Sequence, residues 1–141
     1  MRRLRLRRLV VVGVAGLLFA LLNVPPALAQ PANDDFDNPT VIAALPFTDS
    51  VSTADATAAA DDPFCNSSEH TVWYSFTPTR DMQIRADTSS SDYDTNLGVF
   101  TGPRGNLSQV ACAFFPPQVT FNAAANTTYF FMVGSTFGVP G

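Results

Sequence analysis

The sequence predicts an all-β chain, an antiparallel β-sandwich of jelly-roll-like form. Two observations carry the prediction. Short runs of alternating apolar and polar residues follow one another from Thr40 onward, seven or eight in all. Turn residues separate them about every 8–12 residues. Phenylalanine is the commonest aromatic residue, twelve in the chain, and no helical period, heptad or tandem repeat competes with the strand pattern.

Residues 1–29 read as a signal peptide that precedes the fold. Arg2, Arg3, Arg5, Arg7 and Arg8 form a basic start, and residues 9–22 form an apolar run without a charge. Ala27-Leu28-Ala29 matches a small-residue cleavage site, which makes Gln30 the first mature residue. The apolar run is shorter than the roughly 20 residues that span a bilayer. Residues 30–141 then make one domain.

Each later element has its own reason. Residues 30–38 are polar and acidic, with Phe36 as their only large apolar side chain, and Asn38-Pro39 marks a turn. Residues 40–44 are a short apolar patch, either a helical turn or the start of a strand. Pro46 makes residues 45–51 an edge strand or an irregular one. Residues 53–62 are small and polar and read as a surface loop, and residues 66–70 as a turn holding His70. Residues 71–77 alternate, with Val72, Tyr74 and Phe76 on one face and Trp73 on the other. Residues 82–88 alternate through Met82, Ile84 and Ala86. Ser91-Asp92-Tyr93-Asp94 is a polar turn that leads into a strand over residues 95–101. Residues 107–115 form a strand carrying Cys112, and Pro116-Pro117 ends it. Val119 and Phe121 alternate in residues 118–123. Residues 128–135 are continuously apolar and read as a central strand buried on both faces. Such a strand calls for neighbours on both sides, and residues 136–141 form only a loop. The expectation is therefore a sandwich lacking its last strand.

Charge narrows the partners. After residue 29 three arginines, Arg80, Arg85 and Arg104, face twelve acidic residues, a net charge of −9, and lysine is absent. Such a surface repels phosphate backbones and anionic lipid. It suits a secreted, extracellular protein without nucleic-acid or membrane partners. Cys65 and Cys112 are an even count in an exported chain, which predicts a disulfide between them.

No residue set assembles a catalytic site. His70 is the single histidine, and Ser67 and Ser68 stand too close to it in sequence for triad geometry. Asp34-Asp35, Asp61-Asp62 and Asp92/Asp94 cluster on three loops. Two readings are open for them: calcium ligands, because calcium takes loop carboxylates, Asn and carbonyl oxygens, or the acid pairs of a soluble exported surface. For Asp92 and Asp94 the preferred reading is Asx-type capping of the turn. Trp73 and Tyr74 could stack on sugar rings, although a lone Trp alternating with core residues is more often packed inside.

In order along the chain stand Asn33-Asp34-Asp35-Phe36, Thr71-Val72-Trp73-Tyr74-Ser75-Phe76-Thr77, Ser91-Asp92-Tyr93-Asp94-Thr95, Val99-Phe100-Thr101-Gly102, Val110-Ala111-Cys112 and Thr128-Tyr129-Phe130-Phe131-Met132-Val133-Gly134. This ordered set resembles the bacterial pre-peptidase C-terminal domain, a small β-sandwich of secreted proteases and other exported proteins. The resemblance covers nearly all of residues 30–141 and lacks the family's closing strand. It implies a non-catalytic accessory module that aids secretion, folding or substrate targeting of an attached or associated enzyme, or that grips an extracellular polymer. The collagen-binding domains of clostridial collagenases are distantly similar. Their calcium ligands fall at Asn33, Asp34, Asp61 and Asp62, so calcium is the implied cofactor. Their collagen-gripping tyrosines have Gly134 and Thr136 in their places, and collagen binding does not carry over. The alternatives are a carbohydrate-binding module using Trp73 or Tyr93, and the N-terminal fragment of a larger exported hydrolase.

Overall fold

The computed structural model describes residues 29–66 and 69–141. The predicted signal peptide, apart from Ala29, lies outside these residues. Among the described residues seven strands form: β1 (Thr40–Val41), β2 (Glu69–Phe76), β3 (Met82–Asp87), β4 (Thr95–Thr101), β5 (Ser108–Ala113), β6 (Gln118–Ala123) and β7 (Tyr129–Ser135). They make a five-stranded sheet in the order β1-β2-β7-β4-β5 and a two-stranded sheet of β3 and β6. All pairs are antiparallel except the short β1 against β2. Three of the pairings are nested, and β4 also pairs with β7. The β4–β5 hairpin lies within the β3–β6 pair, and that pair lies within β2–β7, alternating between the sheets as a jelly roll does.

Sequence pattern explains each position. The alternation in β6 turns Val119, Phe121 and Ala123 inward and the residues between them to solvent. β7 has a neighbour on each side and buries side chains on both faces, which is why it reads as continuously apolar. The inner core includes Phe76, Ile84, Leu97, Val99, Phe121 and Phe131, packed between the two sheets. A second cluster of Phe36, Cys65, Trp73, Phe100 and Met132 covers the opposite face of the five-stranded sheet. Phe36 meets the Trp73 ring edge-on at 5.1 Å between centroids. Asn33 fastens this segment to β2: its C=O accepts from the Trp73 N–H at 2.8 Å, and its side-chain amide donates to the Trp73 C=O at 3.1 Å. The polar N-terminal stretch is thus a lid over an aromatic cluster.

Several expectations change. Residues 45–51 form no strand; they run as an exposed loop with a cis Leu45–Pro46 bond. β5 ends at Ala113, so Phe114 and Phe115 lie beyond it, 50% and 85% exposed. His70 belongs to β2 rather than to a turn. It sits at φ 49° in an irregular stretch between Glu69 and Val72. The small, polar loop 53–62 is stitched to β2, with Thr53 and Ala56 buried. Cys65 and Cys112 are joined, as their even count predicts, with Cα atoms 5.8 Å apart.

Candidate functional site

Asp35, Asp37 and Asp61 gather around one cation, Arg104, in the turn between β4 and β5. Its Nη1 donates to Asp35 at 2.6 Å and to Asp37 at 3.0 Å. Its Nε and Nη2 grip both oxygens of Asp61, at 2.7 and 3.0 Å. This forked geometry suits a planar guanidinium. The hydrogen bonds from Arg104 are the first cause that holds the Asp35 and Asp61 carboxyls below the usual carboxylate range.

Asp34 and Asp62 belong to a separate network. Asp34 accepts from the Thr57 N–H and hydroxyl, the latter at 2.8 Å. The Thr57 C=O accepts from the Thr71 N–H at 2.8 Å. The Thr71 hydroxyl lies 2.7 Å from Asp62 Oδ2, which also accepts from the Ala59 N–H at 3.0 Å. Burial pushes the half-buried Asp62 carboxyl up, against the pull of the Thr71 hydrogen bond. These bonds stitch the 53–62 loop to β2 and to the N-terminal lid.

This arrangement decides how well calcium fits. Of the four residues implied as ligands, Asn33 faces the backbone of Trp73, Asp34 and Asp62 face Thr57 and Thr71, and Asp61 faces Arg104. The four do not converge on one point, and among the described residues no group of three or more acidic, His or Cys side chains is placed to hold a metal. A calcium cage needs six to eight oxygens turned to one centre. Here the guanidinium of Arg104 holds the cationic position among the carboxylates, and the donor set as arranged does not fit calcium.

The remaining sequence candidates fall elsewhere. His70 Nδ1 lies 2.8 Å from the Ala56 C=O, a structural tie. Trp73 is 0% exposed, enclosed by Phe36, Phe100 and Met132, so it offers no ring face to a sugar. That corrects the carbohydrate reading of Trp73. The Asx cap in the loop before β4 comes from Asp87, whose Oδ1 accepts from the N–H and hydroxyl of Ser89, rather than from Asp92 or Asp94. Asp94 instead accepts the Thr136 N–H on its C=O at 2.9 Å, and Asp92 is exposed beside a groove.

That groove was not foreseen. It has a volume of about 950 Å³ and runs between the sheets on the β3 side. Val72, Tyr74 and Phe131 line it from the large sheet, and Ile84 and Ala86 from β3. The 42–53 loop contributes Ile42 and Phe47, and Phe47 packs edge-on to Tyr74 at 6.0 Å. The Tyr74 hydroxyl donates to Asp49 at 3.3 Å. Burial first, and then the charge of Asp49, push its phenol up to about 12. Tyr93 stands on the same groove, half-buried, its hydroxyl accepting from Thr53 at 3.1 Å. Sequence reading missed Arg104 and the groove for different reasons. Arg104 left a signal, as one of three arginines among twelve acids, set in a Gly-Pro-Arg-Gly turn. The groove left none, because alternation reveals which residues face inward but not whether a strand covers them. Family models, curated proteins and solved structures yield no match to this chain.

Proposed function

We propose that the protein is a non-catalytic accessory module of an exported protein, one that binds a partner and aids the secretion, folding or substrate targeting of an attached or associated enzyme. The groove is the observation that carries this reading. It joins an apolar floor to a few placed polar groups, Asp49, Tyr74 and Tyr93, which is the ordinary make-up of a binding site. Four titratable groups outside it have structural duties: His70 ties a loop, Asp61 is paired, and Asp34 and Asp62 accept bonds that hold the 53–62 loop. The resemblance to pre-peptidase C-terminal domains points the same way, as does the acidic, disulfide-bonded chain. A carbohydrate ligand is the second reading, and it now rests on Tyr93, which lines the groove.

The test measures turnover and binding on the same preparation. The purified chain is offered chromogenic peptide, ester and glycoside substrates, then soluble fragments of collagen, cellulose and chitin, with backbone amide shifts as the readout. Binding without turnover is expected, with the shifts centred on Phe47, Tyr74 and Tyr93 and weakened in Phe47→Ala. Turnover that persists through repeated purification would overturn the reading.

A further inference from the structure

We infer that the free edge of β3 and the groove beside it accept one extended segment of another protein chain, added as an antiparallel strand. The inference rests on the reading of the groove as a binding site and names the class of partner.

Backbone phase makes the first argument. The Thr88 N–H donates to the Pro117 C=O at 3.0 Å. The register pairs Ala86 with Val119, Ile84 with Phe121 and Met82 with Ala123, all in the same phase. In an antiparallel pair, alternate residues turn their N–H and C=O to the partner and those between turn away. Gln83, Arg85 and Asp87 therefore direct their backbone groups away from β6. Among the described strands β3 pairs with β6 alone, and the groove lies on its other side, lined by β3 residues and by none from β6. A row of open donors and acceptors beside an apolar trough is the template for strand addition.

Topology makes the second. The nested pairs β4–β5, β3–β6 and β2–β7 alternate between the sheets. The next position in a jelly roll of eight strands lies outside β2–β7, in the smaller sheet, beside β3. One strand there would turn alternate side chains inward over Val72, Tyr74 and Phe131, where the groove has room for them. Among the described residues the five-stranded sheet faces only two strands, and the groove occupies the volume between them.

Charge selects the source. Asp49, Asp87 and Asp92 line the groove against the one basic residue Arg85, which pairs with Asp87 at 3.1 Å. Residues 30–141 carry twelve acids against three arginines. A second copy would bring the same excess of negative charge and be repelled, whereas a segment with apolar residues at alternate positions and Lys or Arg between them is attracted.

The experiment uses the isotope-labelled full chain and a peptide of about six residues alternating Val with Lys or Thr. A peptide of the same composition, N-methylated at every second amide, serves as control. Strand addition should slow amide exchange at Gln83, Arg85 and Asp87, leave Met82, Ile84 and Ala86 unchanged, and vanish with the methylated peptide. Ala86→Arg should abolish it by filling the trough. Because that variant also presses on the core, the same peptide is appended after Gly141 through a Gly/Ser linker, where it should protect the same three amides without added ligand. No protection of these amides at saturating peptide, nor with the appended segment, would overturn the proposal. So would protection that rises with chain concentration alone, which would make the occupant a second copy. Amide shifts from a polymer fragment that leave the β3 edge untouched would overturn the strand seat and leave the accessory-module reading standing.

Discussion

At the residue scale, Arg104 sits among carboxylates, one of which, Asp61, is a calcium ligand in the set the resemblance implies. It draws together the N-terminal lid through Asp35 and Asp37 and the 53–62 loop through Asp61. The sign of its effect follows from the lowered carboxyls of Asp35 and Asp61. A folded-state value below the unfolded one stabilises above the ordinary carboxylate range, and the stabilisation is lost as pH falls through the lowered values. Asp62 carries the opposite sign: burial raises it, so its contribution is present only in acid and is lost as pH rises through the raised value. Arg104→Gln is therefore expected to lower the melting temperature at neutral pH. The gap to the unmodified chain should close as the solution is acidified, and thermal melts across pH would show it. Freed carboxylates should also make the variant the more responsive of the two to millimolar calcium; equal responses would remove the idea that Arg104 stands in for the ion.

Among the elements, β4 shows how tightly the sandwich is drawn. Gly98 lies opposite Cys112, and a Cβ there would stand 2.5 Å from the Phe100 ring and 3.3 Å from the Cys65 Cβ. Gly98→Ala thus forces the ring or the disulfide to shift, at a cost of about 1–3 kcal/mol by overpacking. Denaturant unfolding should show a lowered midpoint with an unchanged slope. β2, β3, β6 and β7 were legible in the sequence because alternation or continuous apolarity reports the faces directly. β1 and the 43–56 stretch were not, because their order comes from contacts distant in sequence, such as the bond from the Ile42 N–H to the Ser75 C=O. β5 is shorter than the apolar run that marks it, because Phe114 and Phe115 at the end of that run are exposed rather than paired. At the candidate site, the acids were visible but their partners were not: nothing local ties Asp61 to Arg104, 43 residues away.

For the whole molecule, the Cys65–Cys112 bond spans 47 residues and joins the stitched loop to the edge of the large sheet. In the chain-entropy account a closed loop of this size is worth about 4 kcal/mol. Cys112→Ser, measured by denaturant titration, should lose up to that amount. A loss near zero would mean that the unfolded chain is already compact. The disulfide was legible from the cysteine count, since two cysteines leave one pairing. The two-against-five division of the sheets was not, because pairing order is a property of the whole chain.

That nested pairing also predicts an order of assembly. Once the β4–β5 hairpin has closed, β3 and β6 meet across only the turns that flank it, and β2 and β7 then meet across little more. Each closure costs the entropy of a short additional loop rather than of the full span between its strands. Contacts distant in sequence thus become close in order of formation, from the centre of the chain outward. The N-terminal lid and β1 come last, and they should also be the first to open in native-state hydrogen exchange.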